Sequence, residues 1–249
     1  MGQLFHSSDD MPAELASAVL SWLMSIADTK HRMGLQFSHW VTGTPSLEAA
    51  VSSAAITQDE LGHARSIYSL LRNFPDAPES IGGENDLEAR EFYYAPAALM
   101  PRWDSWLQVV AVNVVLDHAL QIAIAQMEAS SFQPMAGRIA KITQEEQFHR
   151  VFGHSWLEWL VQQNGERLDQ MQKMIDWAWR ITSQWIGPDH DPVTNRLVIA
   201  GVIGGDTTVI RQRWMAEVEP ILRTNGLTVP DETPEWSHWD PRFRHSNHA

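Results

Sequence analysis

Two helical stripes of this chain carry charge where a core demands hydrocarbon, and any fold must accommodate that. Ile56, Glu60, His63, Ile67 and Leu70 are spaced four, three, four and three, and Ile142, Glu146, His149 and Trp156 continue the same periodicity further on. A Glu-x-x-His tetrapeptide on a helix sets both side chains on one face, where they converge on a single ion. The sequence holds three of them, Glu60 to His63, Glu146 to His149 and Glu235 to His238. Composition alone gives about one by chance, so context decides. The third lies in a tail between Pro234 and Pro241, where an exposed loop without a metal is expected.

Asp117 is the next outlier, on a stripe with Val110, Val114 and Ile124. An unpaired carboxylate in such a place is strongly penalised or forced to protonate, and a cation resolves the cost. Carboxylate-bridged dimetal bundles take one carboxylate from each of two helices and a Glu-x-x-His from each of the other two. Three of these four contributions are visible: Glu60/His63, Asp117 and Glu146/His149. Asp117 precedes Glu146 by 29 residues, the length of one helical hairpin, and the equivalent position before Glu60 is Lys30 or His31. Lys30 falls on the buried stripe of the first helix, between Ile26 and Met33. Four readings stand side by side. Its ammonium pairs with Glu60 or Asp117, it is a neutral ligand, it is carbamylated, or His31 takes its place after a small shift of helix phase.

The remaining patterns are helical. A first segment starts near Pro12 and fades around Trp40, with Val19, Leu23, Ile26, Met33 and Phe37 inward. A second follows Thr44-Pro45-Ser46 to about Asn73, then loops through Pro75, Pro78, Gly82 and Gly83. A third covers roughly 104–130 and a fourth, from Pro134, reaches about Gln163, the two forming a tight hairpin. A further amphipathic segment ends at Gly187-Pro188, and another runs from near Val193 to Asn225. No strand pattern or phosphate-binding glycine loop appears; the glycines from Gly201 to Gly205 do not match GxGxxG. The expected fold is all-α, a ferritin-like four-helix bundle with additional C-terminal helices. It forms one domain over 1–249, with the core bundle over about 12–163 and the C-terminal helices and tail over about 167–249.

Composition narrows the chemistry. With no cysteine, any metal is held by oxygen and nitrogen, and hard carboxylates with imidazoles suit iron or manganese better than a closed zinc site. A formal net charge of −13 opposes nucleic acid and anionic lipid as partners. The stretch from Trp106 to Met127 is long enough to span a bilayer, yet it contains Asn113, Asp117, His118 and three glutamines, so a buried bundle helix is expected. The N-terminal residues lack the pattern of a secretory signal, and a cytoplasmic location is expected. Twelve tryptophans and ten methionines point to a bulky core, and homo- or hetero-oligomer formation is expected.

Six motifs, in order, resemble one family. They are Gln58-Asp-Glu-Leu-Gly-His63-Ala, Leu116-Asp117, Glu145-Glu-Gln-Phe-His149, Ile186-Gly-Pro-Asp, Arg211-Gln-Arg-Trp and Gly226-Leu-Thr-Val-Pro-Asp231. Together they are similar to the catalytic ferritin-like subunit of the multicomponent phenylacetyl-CoA epoxidases. The resemblance implies a di-iron centre that inserts one oxygen atom of dioxygen into the ring of an aromatic CoA thioester. It also implies a separate reductase supplying electrons from NADPH, and as partner a structural, ferritin-like subunit. Carried over, the family's ligands fall on Glu60, His63, Asp117, Glu146 and His149, while its first-helix glutamate falls on Lys30, which is taken as the residue that modifies the chemistry of the site. The expected activity is an O2-dependent, non-haem metal monooxygenase of phenylacetate-type catabolism, with two irons, or one, or manganese. The competing expectations are a structural subunit that has lost its metal and a mononuclear or metal-free variant, both because of Lys30.

Overall fold

The computed structural model describes residues 3–82, 90, 92–163, 165–231 and 234–246; Gly83, read above as part of a loop, lies outside them. The chain is all-α, with helices α1 (Ala13–Trp40), α2 (Leu47–Leu71), α3 (Trp106–Val112), α4 (His118–Ala125), α5 (Gln133–Val161), α6 (Gly165–Ile186), α7 (Pro192–Ile199) and α8 (Thr207–Thr224). Helix starts follow local chemistry. Ser46 accepts from Ala49 N at 3.2 Å at the head of α2, Ser105 and Gln108 form a capping box on α3, and Asp191 and Asp206 cap α7 and α8. Pro134 and Pro192 sit in the first turns of α5 and α7, where a missing N–H costs nothing.

The expected stripes face the core. Val19, Leu23, Ile26, Met33 and Phe37 are buried on α1, as are Ile56 and Ile67 on α2 and Ile142 on α5. Two positions differ by the slow drift of a real helix against a simple count: Leu71 is fully buried where Leu70 is only half-buried, and Leu157 takes the place expected of Trp156. The long apolar stretch is also internal, with 94% of its most apolar window buried. It is one rod interrupted by a π-helical turn, Asn113–Asp117, which joins α3 to α4. That turn was not legible in the sequence.

Helices α1 and α2 pack along each other, α5 lies against α2 and against the α3–α4 rod, and α6, α7 and α8 cover α3, α1 and α4 in turn. The last expected amphipathic segment, 193–225, is divided: α7 stops at Ile199 and α8 begins at Thr207. Between them Gly201 adopts φ +70°, and Asp206 opens the next helix. The tail returns to the body. Arg244 is fully buried, donating to Trp185 O at 2.7 Å and to Asp191 Oδ2 at 3.0 Å, with its guanidinium over the rings of Trp22, Trp185 and Trp239. A two-residue ladder, Trp239–Asp240 against His245–Ser246, completes it. One apolar cluster runs from Phe5 to Leu227 through all of these helices.

Candidate metal centre

The π turn aims Asp117 into the bundle, and its surroundings fit a widened helix. A Cβ at Gly153 of α5 would collide with Asn113 Oδ1, so glycine lets α5 approach the turn. Trp214 of α8 donates to Val115 O at 3.0 Å, occupying a carbonyl within the turn. Asp117 Oδ2 is held by Gln121 Nε2 at 3.2 Å and Asn113 Nδ2 at 3.5 Å, one helical turn on either side.

Glu60, Asp117, Glu146 and His149 are all buried and bring ligand atoms within 4.8 Å of one another. His149 Nδ1 lies 3.3 Å from Glu60 Oε1, from Asp117 Oδ2 and from Glu146 Oε2. His63 stands at the side of this group, its Nδ1 3.1 Å from Glu146 Oε1. The third tetrapeptide stays apart: Glu235 and His238 are exposed in the tail, as its prolines implied.

Lys30 occupies the middle. Its Nζ lies 2.6 Å from Asp117 Oδ1, 2.5 Å from Glu146 Oε1 and 3.1 Å from Glu60 Oε1, and all four side chains are sealed from solvent. An ammonium carries three N–H donors, and here each meets a carboxylate. Burial alone pulls its pKa down, and the charges of Asp117, Glu146 and Glu60 overturn this and hold it well above the usual lysine value. The same burial pushes Glu60 up, whereas at Glu146 it is outweighed by Lys30 and His149. His31 points elsewhere, its ring 6.4 Å from that of Tyr68. Counting back 29 residues from Glu60 selects His31; the fold selects Lys30.

Two residues passed over in the sequence complete the centre. Glu145 Oε2 lies 2.8 Å from His63 Nε2, and Asp59 Oδ2 lies 3.4 Å from His149 Nε2. Each acid precedes the Glu of one motif and meets the histidine of the other, so α2 and α5 exchange carboxylates. A carboxylate on the outer ring nitrogen fixes the tautomer and orients the inner nitrogen toward an ion. The doubled acids Asp59-Glu60 and Glu145-Glu146 were the signal.

Orphaned atoms test whether a metal suits this set. Glu60 Oε2 is buried with no hydrogen-bond partner among the described residues, while Glu146 Oε2 and His63 Nδ1 have only the approaches to His149 Nδ1 at 3.3 Å and Glu146 Oε1 at 3.1 Å. Buried polar atoms left short of partners are costly, and carboxylate oxygen and imidazole nitrogen are both of the kind that ligate metals. The donor set of oxygen and imidazole therefore fits a divalent cation.

A family model described as phenylacetic acid catabolic protein matches residues 1–249. The chain belongs to this family. It is 27% identical over 195 residues to one of the subunits of 1,2-phenylacetyl-CoA epoxidase from Escherichia coli (strain K12); the match covers 78% of this chain and 62% of that protein.

Proposed function

We propose that this member of the phenylacetic acid catabolic family is an iron-dependent oxygenase, acting on an aromatic or other CoA-thioester-type substrate. The single observation that carries this reading is the buried set of Glu60, Asp117, Glu146, His63 and His149, with both histidines oriented by carboxylates. Similarity to one chain of an epoxidase supports it. Bound iron supplies redox chemistry and Lewis acidity toward dioxygen. One oxygen atom goes to the substrate and the other to water, consuming two protons and two electrons from a separate reductase.

The chain's own residues supply the setting. Asp59 and Glu145 keep the inner histidine nitrogens turned toward the metal. Lys30 Nζ donates to Glu60, Asp117 and Glu146 and sets a fixed positive charge among the carboxylates that would hold the metal. Beside the centre, α2 and α5 bound a groove of about 480 Å³ lined by Ile56, Phe148, Phe152 and Trp156, with Asp59 and His149 among its lining residues. Such walls offer an apolar ring a surface to pack against beside the centre.

A second reading, a non-catalytic bundle that serves assembly with a homologous partner, is favoured by the completeness of the Lys30 clamp. The two separate in one assay. Protein loaded anaerobically with Fe(II) and supplied with a reductase, phenylacetyl-CoA and oxygen should consume oxygen and form an oxygenated thioester detectable by mass spectrometry. Absence of bound iron after loading, together with no product, leaves the assembly reading.

A further inference from the structure

We propose that the centre takes one divalent ion per chain, the Lys30 ammonium permanently filling the place of a second. The inference rests on the reading that this cluster binds metal at all, and it concerns how many ions it takes.

A two-ion carboxylate centre needs an oxygen donor from each of four helices. Helix α1 has none to give. Its buried carboxylate, Asp28, is two residues from Lys30 and fully engaged elsewhere, accepting from Tyr68 Oη at 2.6 Å, Arg90 Nη2 at 2.6 Å and Tyr94 N at 2.7 Å. At the point where α1 faces the centre, the side chain is cationic.

The three contacts of Lys30 also dispose of two alternatives. An ammonium whose donors all go to carboxylates has no lone pair to offer, so it is a neighbour of the metal and not a ligand. A carbamate on Nζ would set a fourth negative charge among oxygens now 2.5–3.1 Å from that nitrogen.

Charge leads to the same stoichiometry. Glu60, Asp117 and Glu146 contribute three negative charges and Lys30 one positive. A single divalent ion with neutral imidazoles brings the buried group to zero. A second would leave a surplus of two positive charges in a sealed interior, with Asp59 and Glu145 the nearest further acids, both partly open to solvent. The four side chains whose ligand atoms cluster are Glu60, Asp117, Glu146 and His149, so the ion belongs to the His149 side.

The test is metal content per folded chain by mass spectrometry after saturation with Mn(II) or Fe(II) and removal of loose ions, with electron paramagnetic resonance of the manganese form. The expected results are one ion and the spectrum of an isolated Mn(II), without the exchange coupling of a pair. In Lys30→Glu, stoichiometry should rise to two and coupling should appear. Two ions in the unaltered chain overturn the inference while leaving the metal-centre reading intact, whereas no ion overturns both. Should Lys30→Glu not fold, Lys30→Gln serves. It removes the ammonium, and content in the unaltered chain together with its spectrum already decides between one ion and two.

Discussion

The hairpin of α1 and α2 and the hairpin of α3, α4 and α5 present matching side chains to the same point. Asp59, Glu60 and His63 of the first answer Glu145, Glu146 and His149 of the second, and the pair Lys30-His31 answers Asp117-His118. The likeness fails in sign at one place, where an ammonium faces a carboxylate, and in backbone at the same place, where α1 is regular and the partner rod carries a π turn. The opposed charges are 2.6 Å apart. Where the two halves lose their symmetry an ion pair stands in place of two like charges, and under the one-ion proposal the site's charge is balanced by one metal fewer.

The largest effect comes from breaking that pair on its positive side. Lys30→Met leaves three buried carboxylates without their cation, and loss of one partner from a buried ion pair costs about 3–5 kcal/mol. Urea unfolding in the presence of a chelator should show that loss, and excess Mn(II) should return part of it by binding only the folded chain. An unchanged midpoint in chelator would mean that Lys30 does not neutralise the centre.

The histidines beside the mismatch sharpen the comparison further. His118 meets Glu217 Oε2 at 2.9 Å, so the burial that lowers its pKa is partly offset. His31 has no such relief: burial and the charges of Arg32, Arg90 and Arg65 bring it to about 4, from 6.5. Its folded form thus takes up a proton later than the unfolded chain as pH falls. The stability it supports is full above pH 6.5 and is lost toward pH 4, by about 3 kcal/mol. His31→Asn should flatten the acid limb of the stability profile by an amount of this order, and His118→Asn should flatten it less. Equal flattening by both would remove the distinction between the halves.

Much of this was legible in the sequence because period and charge conflict. Glu60, His63, Glu146 and His149 stand on stripes otherwise apolar, and Asp117 does so in the most apolar segment of the chain, so their convergence followed from the cost of burying them apart. What escaped was set by tertiary contact. The π turn at Asn113–Asp117 is met by Gly153 and Trp214, distant in sequence, and no periodicity announces it. Lys30 was visible as an anomaly on a buried stripe, yet its three simultaneous partners come from three different helices. Asp59 and Glu145 read as ordinary acids because each serves a histidine on the other helix. The break between α7 and α8 was marked by Gly201, Gly204 and Gly205, which a count of apolar positions passed over.

The exchange of acids between α2 and α5 gives the smallest and most discriminating expectation. Were the two halves equivalent in metal binding, Asp59→Asn and Glu145→Gln would weaken it alike, each by the ~10–100-fold typical of losing a carboxylate behind a histidine ligand. A single ion on the His149 side makes them unequal. Asp59 supports His149, which belongs to the four-residue cluster, whereas Glu145 supports His63, which reaches that cluster only beside Glu146. Mn(II) titration by calorimetry should therefore show the larger loss in Asp59→Asn and the smaller in Glu145→Gln. The reverse order would place the ion beside His63 and assign Lys30 to the opposite half of the centre.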